Sequence, residues 1–116
     1  MSARPKRIVV GYDGSDAAQR ALNAAADLVG YGSTLTVVAV DGDGLVDDAR
    51  ERLLRRHVTA RYLHPVGDPA ESLIEAARKL EADLLVVGRR GPDESDPGAV
   101  SSAVASLATC DVLVVG

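Results

Sequence analysis

A chain of 116 residues, 47% hydrophobic and 26% charged, has the length and composition of one globular domain spanning residues 1–116. Its net charge of −4 argues against nucleic acid as a partner, and no apolar run is long enough to span a membrane. The single cysteine, Cys110, excludes an internal disulfide framework and favours a reducing, cytoplasmic compartment.

The chain begins with the positively charged stretch MSARPKR, but the apolar stretch of a secretory signal does not follow it. Short runs of Val, Ile and Leu then alternate with longer helical patterns. Most of these runs are continuous, as expected for strands buried on both faces, whereas the third alternates and predicts an outer strand. The five predicted strands are Arg7–Tyr12, Thr34–Val40, His57–Leu63, Asp83–Val87 and Asp111–Val115.

Four amphipathic stretches separate the predicted strands. Ser15 is the predicted N-cap of the first helix, which Gly30 and Gly32 end, and Asp68 and Pro69 begin the third helix. Apolar residues at helical spacing predict the buried faces. These are Ala18, Ala21, Leu22, Ala25, Leu28 and Val29 in the first helix, Leu45, Ala49, Leu53 and Leu54 in the second, Leu73, Ile74, Ala77 and Leu80 in the third, and Val100, Ala103, Val104, Leu107 and Ala108 in the fourth.

Five strands that alternate with four helices predict an α/β fold, a doubly wound parallel sheet with helices on both faces. The strand order does not follow from the spacing. Ligands of such sheets bind beyond the carboxyl ends of the strands, where the winding reverses. The residues expected there are Tyr12, Asp13 and Gly14 after the first strand, Val40 and Asp41 after the second, and residues 88–91 after the fourth.

Common nucleotide and catalytic motifs are missing from the sequence. The stretch GYDGSD has the wrong glycine spacing for a dinucleotide fingerprint, and neither of the two lysines, Lys6 and Lys79, follows a glycine loop as in a Walker A motif. A receiver domain would need further acids beside Asp13 and a lysine after the fifth strand. Neither a G-x-S-x-G elbow nor a Cys/His pair indicates a nucleophile. The sequence therefore predicts no catalytic residues and a binding or interaction protein rather than an enzyme.

The sequence also argues against a metal site. An acidic stretch precedes the second helix, but Gly44 and Leu45 break the register of an EF-hand. We interpret the acids of this stretch as negative charges that favour the positive N-terminal end of the second helix: Asp41, Asp43, Asp47 and Asp48. His57 and His64 lie an odd number of residues apart on one predicted strand, so they are expected on opposite faces.

The stretch VVGRRGPDESDPGAVSSAV, between the fourth strand and the fourth helix, has features of a phosphate-binding loop. Gly88, Gly91 and Gly98 would let backbone N–H groups approach an anion at a helix N-terminus. Three acids lie in the same loop and oppose that interpretation: Asp93, Glu94 and Asp96.

Asp13 directly follows the first predicted strand, and its carboxylate has two interpretations that the residues alone leave open. It could cap the first helix together with Ser15, or it could accept hydrogen bonds from a ribose or an adenine edge.

The whole chain resembles the universal stress protein family. The pieces that carry the resemblance are RIVVGYDGSDAAQRAL, VVAVD, VGDPAESLIEAA and ADLLVVGRRG…GAVSSAV…CDVLVV, in the order the family has them. The resemblance implies a five-stranded parallel sheet of order 3-2-1-4-5 with two helices on each face, a Rossmann-like fold. It also implies a regulatory module of the stress response that dimerises, in a family of which one branch binds ATP or AMP.

The ATP-binding branch has G-x2-G-x9-G-[S/T] after the fourth strand. Gly88 and Gly91 match its first two glycines, Gly98 matches the third across six residues in place of nine, and Ala99 takes the Ser/Thr position. The match implies that Gly11, Tyr12, Asp13 and Val40 border the adenosine and that Gly98, Ala99, Val100 and Ser101 lie at the phosphates. Arg89 and Arg90 are able to pair a phosphate. The chain is short for the family between the second and third strands, where part of the wall near the nucleotide usually lies.

Two hypotheses therefore remain at this stage. The first is a regulatory module with a degenerate adenine-nucleotide site, which binds ATP weakly or not at all but accepts AMP, with Mg²⁺ only as a companion of the nucleotide; a competent ATP-binding member is its alternative. The second is a nucleotide-free dimerisation and interaction protein. In both, the fifth strand lies at a sheet edge and predicts a homodimer through Val112–Val115. The sequence identifies no protein partner.

Overall fold

A computed structural model of the chain describes residues 5–40, 44–89 and 99–116. The described residues form a five-stranded, all-parallel sheet of order β3-β2-β1-β4-β5, which confirms the doubly wound fold and the strand order that the family resemblance implied. Its strands are β1 Arg7–Gly11, β2 Thr34–Val38, β3 Arg61–Leu63, β4 Leu84–Gly88 and β5 Asp111–Val115.

Four helices connect these strands: α1 Asp16–Leu28, α2 Leu45–Arg55, α3 Pro69–Lys79 and α4 Ala99–Leu107. The predicted caps are confirmed, since Ser15 accepts the N–H of Ala18 and Asp68 accepts the N–H of Glu71. Asp47 and Asp48 lie in the first turn of α2, where acids favour the positive end of the helix. None of the helices in these three ranges is both long and apolar enough to cross a membrane.

The core consists of two layers, one on each face of the sheet. Because successive residues of a strand point to opposite faces, Ile8 and Val10 of β1 pack with α1 and α2, whereas Val9 packs with α3 and α4. Each face is thus covered by two helices, as the resemblance implied.

The third strand is shorter than the predicted His57–Leu63. The N–H groups of His57 and Val58 bond to the carbonyls of Leu54 and Leu53, so these residues close the C-terminal turn of α2 in a Schellman motif. His57 has a φ of 58°, and β3 begins only at Arg61. The two histidines therefore do not share a strand, and placing them on opposite faces of one was wrong.

The first two strands also end earlier than predicted, at Gly11 and Val38. The main chain continues for one residue in a sheet-like path, because the N–H of Tyr12 bonds to the carbonyl of Val38 and the N–H of Ala39 to that of Leu63. Tyr12 and Val40 consequently lie just beyond the strands, at their carboxyl ends.

Candidate functional site

A cleft opens at the carboxyl ends of β1, β2 and β4, where the chain leaves the sheet toward opposite faces. It encloses about 640 Å³, including solvent at its mouth. This is the position at which doubly wound sheets bind their ligands. Its lining residues are Gly11, Tyr12, Asp13, Ser15, Ala18, Val38, Val40, Pro69, Leu73, Val87, Gly88, Val100 and Ser101.

The structure places most of the predicted site residues around this one cleft: Gly11, Tyr12, Asp13, Val40, Gly88, Val100 and Ser101. Arg89 is exposed and is not among the lining residues; its N–H donates to the carbonyl of Val115 at 2.7 Å. Ala99 begins α4. Gly91 and Gly98 lie outside the described residues, as do Arg90 and the loop acids Asp93, Glu94 and Asp96.

The sequence interpretation missed several lining residues, although some carried a signal. Ser15 and Pro69 were predicted to begin helices, and a helix that follows a parallel strand begins at the sheet edge where ligands bind. Leu73 was predicted to face inward. Ala18 was likewise predicted on the buried face of the first helix. The remaining missed residues are apolar and had no signal beyond their place near a strand end: Val38 and Val87.

Two glycines of the cleft have structural reasons to be glycine. A Cβ on Gly88 would lie 2.6 Å from the carbonyl carbon of Ala17 and 2.7 Å from the nitrogen of Ala18, so the backbone of α1 packs directly on β4. A Cβ on Gly11 would meet a side-chain methyl of Leu73 at 2.9 Å. Gly88, the last residue of β4, is therefore required by helix packing, whether or not a phosphate approaches it.

The carboxylate of Asp13 takes part in the N-terminal turn of α1. Its Oδ1 accepts the N–H of Ser15 at 2.9 Å, and the Oγ of Ser15 in turn accepts the N–H of Ala18 at 3.1 Å. Asp13 is nevertheless exposed and lines the cleft. The capping role is present in the structure, and it leaves the carboxylate at the surface that a ligand would contact.

Tyr12 connects the cleft to α2. Its side chain is 3% exposed, and its hydroxyl donates to Oδ2 of Asp48, which also accepts from Nε of Arg52 at 3.1 Å. Burial, together with the adjacent carboxylate, raises the pKa of Tyr12 to about 12. The hydrogen bonds from Tyr12 and Arg52 lower the pKa of Asp48. The sequence interpretation treated Asp48 as an acid of the helix end, because a contact between residues 36 positions apart has no local signal.

Three helices begin at the cleft, through Ser15 before α1, Pro69 of α3 and Val100 of α4. Their N-termini carry partial positive charge and favour an anion. In α1 and α3, side-chain caps from Ser15 and Asp68 already accept a first-turn N–H group. The start of α4, with Ser101 buried against the cleft, is the third such N-terminus.

Reactive side chains are few in the described ranges 5–40, 44–89 and 99–116. Burial, with Asp111 nearby, raises the pKa of the Cys110 thiol, which keeps it protonated and a poor nucleophile at neutral pH. Those ranges contain no group of three or more His, Cys, Asp or Glu side chains that could hold a metal ion.

The sequence matches a known family over nearly its whole length. The model of the universal stress protein family matches residues 5–54 and 43–116. The chain belongs to the universal stress protein family. A universal stress protein of Thermus aquaticus is 33% identical to this one, over 95% of this chain and 98% of its relative.

Solved structures of the family have the same fold. The crystal structure of a universal stress protein in complex with cAMP is 30% identical, with a TM-score of 0.83 and coverage of 98% of each chain. A family protein of Arabidopsis thaliana with AMP bound is 17% identical, with a TM-score of 0.74 over 96% of this chain and 91% of that one, and at this identity it shows the fold alone.

This universal stress protein is shorter than its relatives. The alignment with the Thermus aquaticus protein extends over 134 positions, more than the 116 residues of this chain, so the relative has residues without a counterpart here. The two ranges that the family model matches overlap at residues 43–54, which include most of α2. The sequence analysis expected the shortening in this part of the chain, between β2 and β3.

Proposed function

We propose that this universal stress protein binds an adenine nucleotide in the cleft and acts as a non-catalytic regulatory module of the stress response. The observation that carries the proposal is the cleft itself, which lies at the switch point of the sheet and gathers Gly11, Tyr12, Asp13, Val40 and Ser101. The cAMP complex of a 30% identical relative with the same fold supports the class of ligand.

The lining residues match the parts of a nucleoside monophosphate. Val38, Val40 and Leu73 form an apolar surface suited to a base, and the exposed carboxylate of Asp13 can accept hydrogen bonds from ribose hydroxyls. The N-terminal turn of α4 supplies backbone N–H groups and a partial positive charge for one phosphate. Magnesium would enter only with a nucleotide that carries it.

We further propose that the site discriminates against ATP. Asp93, Glu94 and Asp96 stand in the segment between Gly91 and Gly98, which is three residues shorter than in the ATP-binding branch. A triphosphate extends further and carries more charge than a monophosphate, so nearby carboxylates would oppose it more.

Calorimetric titration with AMP, cAMP and ATP, with and without Mg²⁺, tests the proposal. We expect AMP or cAMP to bind and ATP to have a dissociation constant weaker than roughly 10 μM, an affinity below about 7 kcal/mol. Asp13→Asn should weaken nucleotide binding. Asp16→Asn is the matched control, since Asp16 is an exposed acid of the same helix start that does not line the cleft. Submicromolar ATP binding would instead identify a competent ATP-binding member.

A nucleotide-free interaction protein is the second candidate, and two observations favour it. Gly88 is explained by the packing of α1, and Asp13 by the turn that begins α1, so neither residue needs a nucleotide to account for it. Absence of binding heat for all three nucleotides, with the protein folded, would select this candidate.

We propose for both candidates that the protein works in the cytoplasm as a homodimer that pairs through the edge of β5. β4 is the only strand that pairs with β5 among the described residues, and the side chains of Leu113 and Val114 are 37% and 40% exposed. An apolar sheet edge of this kind favours pairing with a second copy.

A further inference from the structure

The side chains of Tyr12, Asp48 and Arg52 form a chain of hydrogen bonds between the cleft and α2. We infer that Asp48 and Arg52 are positioning residues that hold the ring of Tyr12 as one wall of the cleft, so that α2 controls nucleotide affinity without touching the ligand. No described residue of α2 lines the cleft itself. The inference rests on the proposed nucleotide site.

The side chain of Tyr12 has one polar group, its hydroxyl. Its ring packs in the layer between the sheet, α1 and α2, and its hydroxyl needs a partner because an unpaired polar group costs free energy when buried. Asp48 supplies that partner. The main-chain N–H of Tyr12 donates to the carbonyl of Val38, which fixes the backbone at this residue. The hydrogen bond from the Tyr12 hydroxyl to Asp48 then fixes the direction of the ring.

Arg52 in turn orients the carboxylate. It lies one helical turn after Asp48, and the two side chains are about two-fifths exposed, at 37% and 43%. An exposed pair of this kind adds little stability by itself. Its effect here is geometric, because the same Oδ2 atom accepts from both Arg52 and Tyr12.

The test uses a protein in which Tyr12 is the only tyrosine. The sequence has three tyrosines and no tryptophan, so Tyr31→Phe with Tyr62→Phe leaves Tyr12 as the sole reporter of ultraviolet absorbance and fluorescence. Asp48→Asn then removes the charge while keeping the size. Asp47→Asn is the matched control, because Asp47 is an exposed neighbour on α2 that pairs with Arg50 and has no contact with Tyr12 in the described structure.

AMP affinity and the Tyr12 signal are then measured in each variant under conditions where circular dichroism shows it folded. We expect AMP to change the Tyr12 fluorescence, Asp48→Asn to weaken AMP binding about five-fold, and Asp47→Asn to leave it within about two-fold. In alkaline titration the Tyr12 phenol should ionise at lower pH in Asp48→Asn, since loss of the carboxylate removes one cause of its raised pKa. Tyr12→Phe, which keeps the ring and loses the hydroxyl, should weaken AMP binding by a similar factor. It takes the place of Asp48→Asn in the affinity measurement if that variant does not fold.

Each outcome decides a separate point. Equal AMP affinity in the Asp48→Asn and Asp47→Asn variants, or an unchanged titration of Tyr12, overturns the inference while the nucleotide site stands. A sole-tyrosine protein and a parent chain that both bind neither AMP nor cAMP overturn the proposed function, and the inference with it.

Discussion

At the scale of single residues, the C-terminal turns of α2 and α3 have the same unusual feature. Each helix ends in a Schellman motif whose left-handed position is held by a residue other than glycine, with φ of 58° at His57 and 54° at Glu81. A left-handed conformation costs an ordinary residue about 1–2 kcal/mol, and glycine avoids most of that cost. His57 is exposed, so its side chain has little packing to lose.

We expect His57→Gly to stabilise the protein by about 0.5–1 kcal/mol, because relief of the backbone strain exceeds the extra entropy of glycine in the unfolded chain. Urea denaturation measures this change. His64→Gly is the control: His64 is also exposed but has no positive φ, so the same replacement should be neutral or destabilising there. A loss of stability in His57→Gly would contradict the argument.

At the scale of elements, the connection from β4 to α4 governs the choice of nucleotide in our proposal. Residues 90–98 of this connection lie outside the described structure. The sequence nevertheless gives the charges of their side chains. Replacing Asp93, Glu94 and Asp96 by Ser together with Ala99→Ser should tighten ATP more than AMP, because it removes repulsion along the triphosphate and restores the hydroxyl of the family motif.

Calorimetry on the full set of replacements and on Ala99→Ser alone separates the effect of the loop charges from the effect of the hydroxyl. Ala99→Ser alone restores the hydroxyl without changing the charge, so it should improve ATP affinity by less than about ten-fold. If the full set of replacements leaves the ratio of ATP to AMP affinity unchanged, the loop acids do not set the preference.

At the scale of the whole molecule, the proposed dimer contact lies at the edge of β5. The carbonyl of Val115 accepts the N–H of Arg89 from the β4 side, so the backbone groups of Val115 face β4. Because these groups alternate along a strand, those of Val112 and Val114 point away from the sheet. Two of the four residues in the proposed contact Val112–Val115, namely Val112 and Val114, therefore present backbone donors and acceptors outward, where a second copy could pair with them.

We expect the protein to be a dimer at tens of micromolar, and Val114→Pro to make it monomeric. Proline removes an outward N–H without breaking a bond to β4. Val114→Thr keeps that donor and should remain dimeric. Sedimentation velocity with circular dichroism tests both, and a folded wild-type monomer would rule out this assembly.

The order of elements and the starts of α1 and α3 could be read from the sequence, because their causes are local. Apolar runs mark the strands, and Ser15 and Asp68 cap α1 and α3 as their types predict. The strand order came from the family resemblance, since spacing alone does not contain it. The third strand was predicted too long because its alternating pattern extended over the Schellman turn at His57.

The sequence by itself determined which residues reach the carboxyl edge of the sheet, since a strand end and the helix that follows it are neighbours in the chain. Only the tertiary structure decided what those residues contact. Gly88 meets the backbone of Ala17, and Tyr12 meets Asp48 across 36 positions of sequence. Such contacts depend on how α1 and α2 pack on the sheet, and packing brings together residues whose separation along the chain leaves no periodic trace.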